Sequence, residues 1–181
     1  MHAPIEQTLI VVDRDDKVLE YARRSVCHTG QGRMHRAVLV MLYNAQGQVL
    51  LQHRKHALWN NYWDLTGATH PLRLGATSET YEEATARLLK VEWGVEAPVR
   101  RLLSFTYFAQ FGEACENELC VLLAGRYDGP LAPNPEHALG HRWATLAECA
   151  ADLRAGTPDY TPWARIAIDR LLAEPAGLPV L

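Results

Sequence analysis

The sequence predicts one domain of the α+β or mixed α/β class. Three observations carry that prediction. The chain has 181 residues, the size of a single ordinary domain. Apolar residues make up 48% and charged residues 22%, which is enough apolar side chain to build a core. Runs of strand length come first, then a segment with helical period, then more strands, then helical segments. No repeat or linker divides residues 1–181, and the elements fall within about 8–172.

Leu9 to Val12 is a short β-branched run closed by Asp13-Arg14-Asp15-Asp16, which reads as strand then turn. Leu19 to Val26 is mixed in character and reads as helical. Cys27 to Met34 contains His28, Gly30 and Gly32 and reads as a loop. Ala37–Tyr43 and Gln48–His53 are strands joined by Asn44-Ala45-Gln46-Gly47, hence a hairpin. From Leu58 to Pro71 three aromatics precede small residues, the pattern of a loop whose backbone approaches something closely. Ser78 then caps a helix whose first turns carry Glu79, Glu82 and Glu83. Tyr81, Ala84, Leu88 and Val91 form its buried stripe, and Gly94 stops it. Leu102–Phe111 and Glu116–Leu123 are strands, Gly129 to Pro135 is a loop, and His141–Ala144 is a short strand. Thr145 opens a helix through Leu153, a last helix runs from about Pro162 to Leu172, and Pro175–Leu181 reads as a loose tail.

The formal charge of −3 lacks the basic field that phosphate-backbone binding needs, so no nucleic-acid partner is expected. No window approaches the roughly 20 apolar residues of a membrane span. Met1 to Glu6 has no basic stretch leading into an apolar one, so no secretion signal is expected. Cys27, Cys115, Cys120 and Cys149 form no C-x-x-C pair and read as reduced thiols of a cytoplasmic protein. No obligate protein partner is evident.

Four groups of residues can carry chemistry. In Glu116-Asn117-Glu118, a strand places Glu116, Glu118 and Cys120 on one face. Two carboxylates about 7 Å apart repel unless a cation or an acid–base role offsets the cost. A solvated edge strand is the bland alternative, which the apolar run Leu119 to Leu123 weakens. His28, His35 and His70 lie beside glycines or proline; with one or two carboxylates they suit Zn2+ or Mn2+, while singly each reads as an ordinary surface or core histidine. His53, His56, His137 and His141 read as ordinary. The helix from Glu79, with Arg87 and Glu92, is either a way to hold Mg2+ against a diphosphate or a surface helix with pairs such as Glu83–Arg87. Trp163, behind Thr161-Pro162, is either part of a pocket or an anchor for the last helix.

Together these stretches resemble type I isopentenyl diphosphate isomerase, a member of the Nudix superfamily. The resemblance is carried by His28-Thr29 to His35, by Asn44 to Leu51, and by Trp63 to His70-Pro71. It continues through Glu92-Trp93-Gly94-Val95, Glu116-Asn117-Glu118-Leu119-Cys120 and Pro162-Trp163, so it runs from about Leu9 to Leu172. It implies a Nudix-like α/β/α sandwich with a mixed sheet. It implies that His28, His35, His70, Glu116 and Glu118 ligate one divalent metal (Zn2+ or Mn2+), and that Glu92 helps hold Mg2+ against a small-molecule diphosphate substrate. Arg24, Lys55 and Arg87 would meet that diphosphate. Tyr107 and Trp163 would line the hydrocarbon end, with Glu118, aided by Tyr107, protonating a double bond and the Trp163 face stabilising the cation.

The chain departs from that pattern on the far side of the site. The family carries a cysteine two residues before the His-Pro pair, where Ala68 stands here. A basic residue that the family places after the Arg87 position is Leu88, and the Lys55–Trp59 segment is short. Three readings follow. One is an isomerase-like enzyme in which Thr66, Thr69, Tyr107 or a water replaces the cysteine. Another is a Nudix hydrolase of a nucleoside diphosphate derivative, although its box wants glutamates where Leu88 and Val91 stand. The third is a metal-bearing protein without turnover.

Overall fold

The computed structural model describes residues 6–173. The elements are β1 (Thr8–Val12), β2 (Val18–Arg23), α1 (Arg24–Cys27), β3 (His35–Tyr43) and β4 (Val49–Arg54). Four short strands follow: β5 (Trp63–Asp64), β6 (Gly67–Thr69), β7 (Arg73–Leu74) and β8 (Thr77–Ser78). Then come α2 (Tyr81–Leu88), a π-helical turn (Leu89–Trp93), β9 (Arg100–Phe111), β10 (Ala114–Arg126), β11 (Ala138–Ala144), α3 (Leu146–Ala155) and α4 (Pro162–Ala173). No helix among the described residues is long and apolar enough to cross a membrane. The expected secretion-signal window begins, and the expected tail lies, outside the described residues.

β3 organises the main sheet. Along one edge it pairs in parallel with β10, from Glu118↔His35 to Arg126↔Tyr43, and β9 continues that side antiparallel to β10. Along the other edge β3 meets three strands in succession: β1 at Val11↔His35, β6 at Val38–Val40, and β4 at Tyr43↔Val49. β4 thus leaves β3 after one pair, and β6 fills the gap and delivers His70 beside the start of β3. Helices cover both faces. Leu39, Met41, Cys120 and Leu122 pack with Cys149 of α3 and Trp163, Ala167 and Ile168 of α4. Val38, Val40, Leu42 and Val121 pack on the other face with Tyr81, Ala84 and Leu88 of α2 and Trp93. The expected α/β/α sandwich with a mixed sheet is therefore what the chain forms.

Four local expectations are corrected. Residues 18–23 are a strand rather than a helix, because the antiparallel partner β1 supplies a full ladder, Leu9↔Ala22 and Ile10↔Tyr21 included; one helical turn follows. Thr80, not Ser78, caps α2: its side chain accepts from Glu83 N and the Glu83 carboxylate accepts from Thr80 N, which satisfies two free donors at once. Ser78 belongs to the β7–β8 ribbon, and Arg87 reaches back to Glu79 instead of pairing with Glu83. Val91 is 50% exposed, because the wider π turn shifts the buried face onto Leu89, Glu92 and Trp93. Gly94 ends that turn in the left-handed region at φ 65°, as expected.

Candidate active site

Strand register assembles the site. His35 stands directly opposite Glu118, and Glu118 directly opposite Tyr107, so one face carries all three side by side. His28 follows α1, and its carbonyl accepts from Cys115 N, which holds it against Glu116. The turn beyond it needs glycine at Gly32, where a Cβ would meet Cys27 O at 2.4 Å. His70 follows β6. One donor atom from each of His28, His35, His70, Glu116 and Glu118 lies within 4.8 Å of all the others, and all five residues are buried. The sequence-based set of five therefore converges.

The electrostatics of this cluster favour a cation. Nδ1 of His28 faces Arg24 O at 2.9 Å and Nδ1 of His35 faces Arg33 O at 2.7 Å. Carbonyls only accept, so both Nδ1 atoms carry the hydrogen and both Nε2 lone pairs point into the cluster. Nε2 of His28 lies 2.8 Å from Glu116 Oε2, yet these atoms and His35 Nε2 are buried without a hydrogen-bond partner. A proton or a shared cation between them relieves that conflict. Burial, and then the Glu118 carboxylate, push Glu116 well above the usual carboxylate range. Burial and then His70 hold His35 down at about 3, and burial followed by Arg24 lowers His28 and His70. Three neutral imidazoles and two carboxylates fit a first-row divalent ion. His70 differs in one respect. Arg24 donates to its Nδ1 at 2.9 Å, so Nε2 carries the hydrogen and donates to Glu118 Oε1 at 3.0 Å. Ligation through that atom requires the hydrogen to move to Nδ1 and Arg24 to turn away.

Four of the five, His28, His70, Glu116 and Glu118, line a cavity of about 880 Å³, with His35 buried behind them. Tyr107, Trp163, Ala37 and Leu58 line it with apolar surface, and Arg24, Arg54, Arg87 and Glu92 add charge. Tyr107 donates to Glu118 Oε2 at 2.5 Å, and burial and then Glu118 push its phenol well above its ordinary value. Trp163 donates from Nε1 to Asp64 at 2.8 Å, and the Arg54 guanidinium lies 5.1 Å from its ring centroid, so the indole already carries one cation. Glu92 accepts from Gln52 at 2.7 Å, and burial raises it to about 7. A Cβ on Gly67 would lie 3.2 Å from Glu92 Oε2, which is the close approach expected of this loop.

A NUDIX domain model matches residues 33–164 of this chain. The isopentenyl-diphosphate Delta-isomerase of Haloarcula marismortui is 32% identical, over 93% of this chain and 93% of that relative. The chain belongs to the NUDIX family, in its isopentenyl-diphosphate Delta-isomerase group. The protein of that name from Burkholderia multivorans is 31% identical and covers 98% of this chain and 97% of its own. A crystal structure of a Deinococcus radiodurans protein superposes with a TM-score of 0.72, at 26% identity over 91% of this chain and 98% of that one.

Several residues stand differently from the family-based expectation. Ala68 lines the cavity, paired with Leu39 across β6 and β3, and offers only a methyl group. Thr66 is fully buried, donating to Leu50 O and accepting from Leu42 N, so it is structural rather than a stand-in for the cysteine; Thr69 lines the cavity. Lys55 is not brought to the cavity. It lies just past the end of β4, and its Nζ donates to Pro135 O at 2.9 Å; Arg54 lines the cavity instead. Arg87 lines the cavity while holding Glu79 and donating to His70 O. His53 stacks on Trp63 and His141 packs edge-on to Trp93, as ordinary histidines do. His56 and His137 are corrected: both line the cavity beside Glu92. No local signal marks them, because the two segments are far apart in the chain.

Proposed function

We propose that this protein is a metal-dependent isomerase that moves the double bond of isopentenyl diphosphate, or a related prenyl diphosphate, by protonation at carbon. The observation that carries the reading is the convergence of His28, His35, His70, Glu116 and Glu118 on one buried point, with the Tyr107 hydroxyl on Glu118. The named relatives across nearly the whole chain support the same reaction.

In this reading the five residues hold a Zn2+ or Mn2+ ion, and Glu92 helps hold Mg2+ against the diphosphate. The bound ions supply charge that orients Glu118 and neutralises phosphate oxygens. Everything else falls to the chain. Arg24 and Arg87 meet the diphosphate. Glu118, in its protonated form, delivers its own proton to the terminal methylene carbon, the Tyr107 hydroxyl keeps its proton and donates to the carboxylate left behind, and positive charge develops on the neighbouring tertiary carbon. The Trp163 face and the buried walls exclude water while that charge exists. A proton then leaves the carbon on the diphosphate side, which gives dimethylallyl diphosphate. Ala68 provides no base for this last transfer, so Thr69 or a water takes it, and turnover is slow. The hydrolase alternative is less supported, because Leu88 and Val91 stand where that chemistry wants carboxylates.

A paired assay tests the proposal. Metal-loaded protein should convert isopentenyl diphosphate to dimethylallyl diphosphate and release no phosphate from a panel of nucleoside diphosphate derivatives. The A68C variant should isomerise about 10²-fold faster or more, the range of a positioned proton-transfer group. Phosphate release from the nucleotide panel, with no isomerisation by either protein, would reverse the assignment.

A further inference from the structure

We propose that His56, His137 and Glu92 form a second metal site, which takes a first-row transition ion and leaves a position open to an anionic oxygen ligand such as a phosphate or diphosphate. The site shares Glu92 with the Mg2+ position named in the isomerase reading and puts a transition ion there in place of Mg2+; it stands independently of that reading, and only its use as a diphosphate anchor rests on it.

One donor atom from each of the three side chains lies within 4.8 Å of the other two, and His137 Nδ1 is 3.8 Å from Glu92 Oε1. Tetrahedral ligands at about 2.0–2.1 Å from an ion lie about 3.4 Å apart, so small side-chain rotations close the set. Nε2 of His56 is buried and has no hydrogen-bond partner. An imidazole nitrogen in that position carries a cost that an ion removes. Gln52 donates to Oε2 of Glu92 at 2.7 Å, which steadies the carboxylate with Oε1 toward His137.

The backbone ties the three segments together. Asn134 N donates to Glu92 O at 2.8 Å, and the Asn134 side chain donates to Val91 O at 3.1 Å. Lys55 N, next to His56, donates to His137 O at 2.9 Å. Distant parts of the chain are therefore clamped at the residues that present the donors.

The donor chemistry chooses the ion. A single carboxylate suits Mg2+ when phosphate oxygens and waters complete its shell. Two imidazoles shift the preference toward Zn2+, Co2+ or Ni2+. Three protein ligands are the pattern of an open site, with the remaining position left to a ligand from solution. That position faces a cavity lined also by Arg24, Arg54 and Arg87, which favours an anion there.

Metal-free protein titrated with Co2+ in excess Mg2+, read by elemental analysis after dialysis and by visible absorption, tests the site. Wild type should bind two Co2+ per chain. The His56→Asn/His137→Gln double variant, folded by circular dichroism, should bind one; neither histidine is fully buried, so the fold is expected to survive. His35→Asn should lose the other equivalent and keep this one. Inorganic diphosphate should shift the absorption of the second Co2+ in wild type and not in the double variant. A wild-type stoichiometry of one, an unchanged stoichiometry in the double variant, or displacement of the second Co2+ by Mg2+ would overturn the site. A second Co2+ blind to diphosphate would overturn the open position. Two bound Co2+ without isomerisation would leave the site standing and remove the isomerase reading instead.

Discussion

Glu118 is the residue on which the chemistry converges, because register alone sets its neighbours: His35 on one side and Tyr107 on the other. Tyr107 keeps its proton, since burial and Glu118 push the phenol upward, and it presents that proton to Oε2 at 2.5 Å. Glu118→Gln should therefore cost about 10²–10⁴-fold in turnover, the range of a positioned acid, with unchanged circular dichroism. A variant of near wild-type rate would place the acid elsewhere. The five cluster residues were legible in the sequence because they fall in three short stretches, His28 to His35, His70-Pro71 and Glu116-Asn117-Glu118, which the resemblance picks out together. Lys55 and Thr66 were not read correctly, because their roles depend on side-chain direction. Lys55 turns toward Pro135 just beyond a strand end, and Thr66 is taken up by two backbone groups. His56 and His137 were invisible as a pair, since only the fold brings their segments together.

At the scale of elements, Asp64 joins three parts of the molecule. Its carboxylate, fully buried at the end of β5, accepts from Arg54 of β4 at 2.9 Å, from Trp163 of α4 at 2.8 Å and from Leu65 N at 2.8 Å. Burial raises the Asp64 carboxyl, and Arg54 opposes that rise. Removing one partner of such a buried pair leaves a charge uncompensated, at a cost of about 3–5 kcal/mol. Asp64→Ala should accordingly lower Tm by about 10 °C in scanning calorimetry. A fall of less than a degree or two would show that α4 is held without this link. The strands of the β3–β4 hairpin and the capping-box helix α3 were legible, because an apolar run closed by a turn and a side-chain cap are local signals. Residues 18–23 and the true start of α2 were not, because pairing with β1 and competition between two neighbouring caps are decided by tertiary contacts.

For the whole molecule, the buried histidines set how stability depends on pH. His35 and His56 lie at about 3 in the folded protein, burial being the first cause for both, and His28 and His70 are lowered too. The unfolded chain takes up protons at these positions below about pH 6.5, while the native protein refuses them. Stability is thus present above that pH and is lost as pH falls from about 6.5 toward 3. Glu92, at about 7, and Glu116 and Asp64, also raised, act in the opposite sense, since the native protein binds their protons first. Four histidines outweigh three carboxylates, so the Tm of metal-free protein should drop between pH 6.5 and 4.5; a rising or flat profile would contradict the burial argument. The central claim is protonation at carbon inside a metal-bearing Nudix fold, and one measurement addresses it directly. Isopentenyl diphosphate incubated with metal-loaded protein in D2O and followed by NMR should yield dimethylallyl diphosphate with deuterium in a methyl group, and chelation should abolish the signal. Recovery of unlabelled substrate after prolonged incubation, or diphosphate release without any deuterium on carbon, would contradict it.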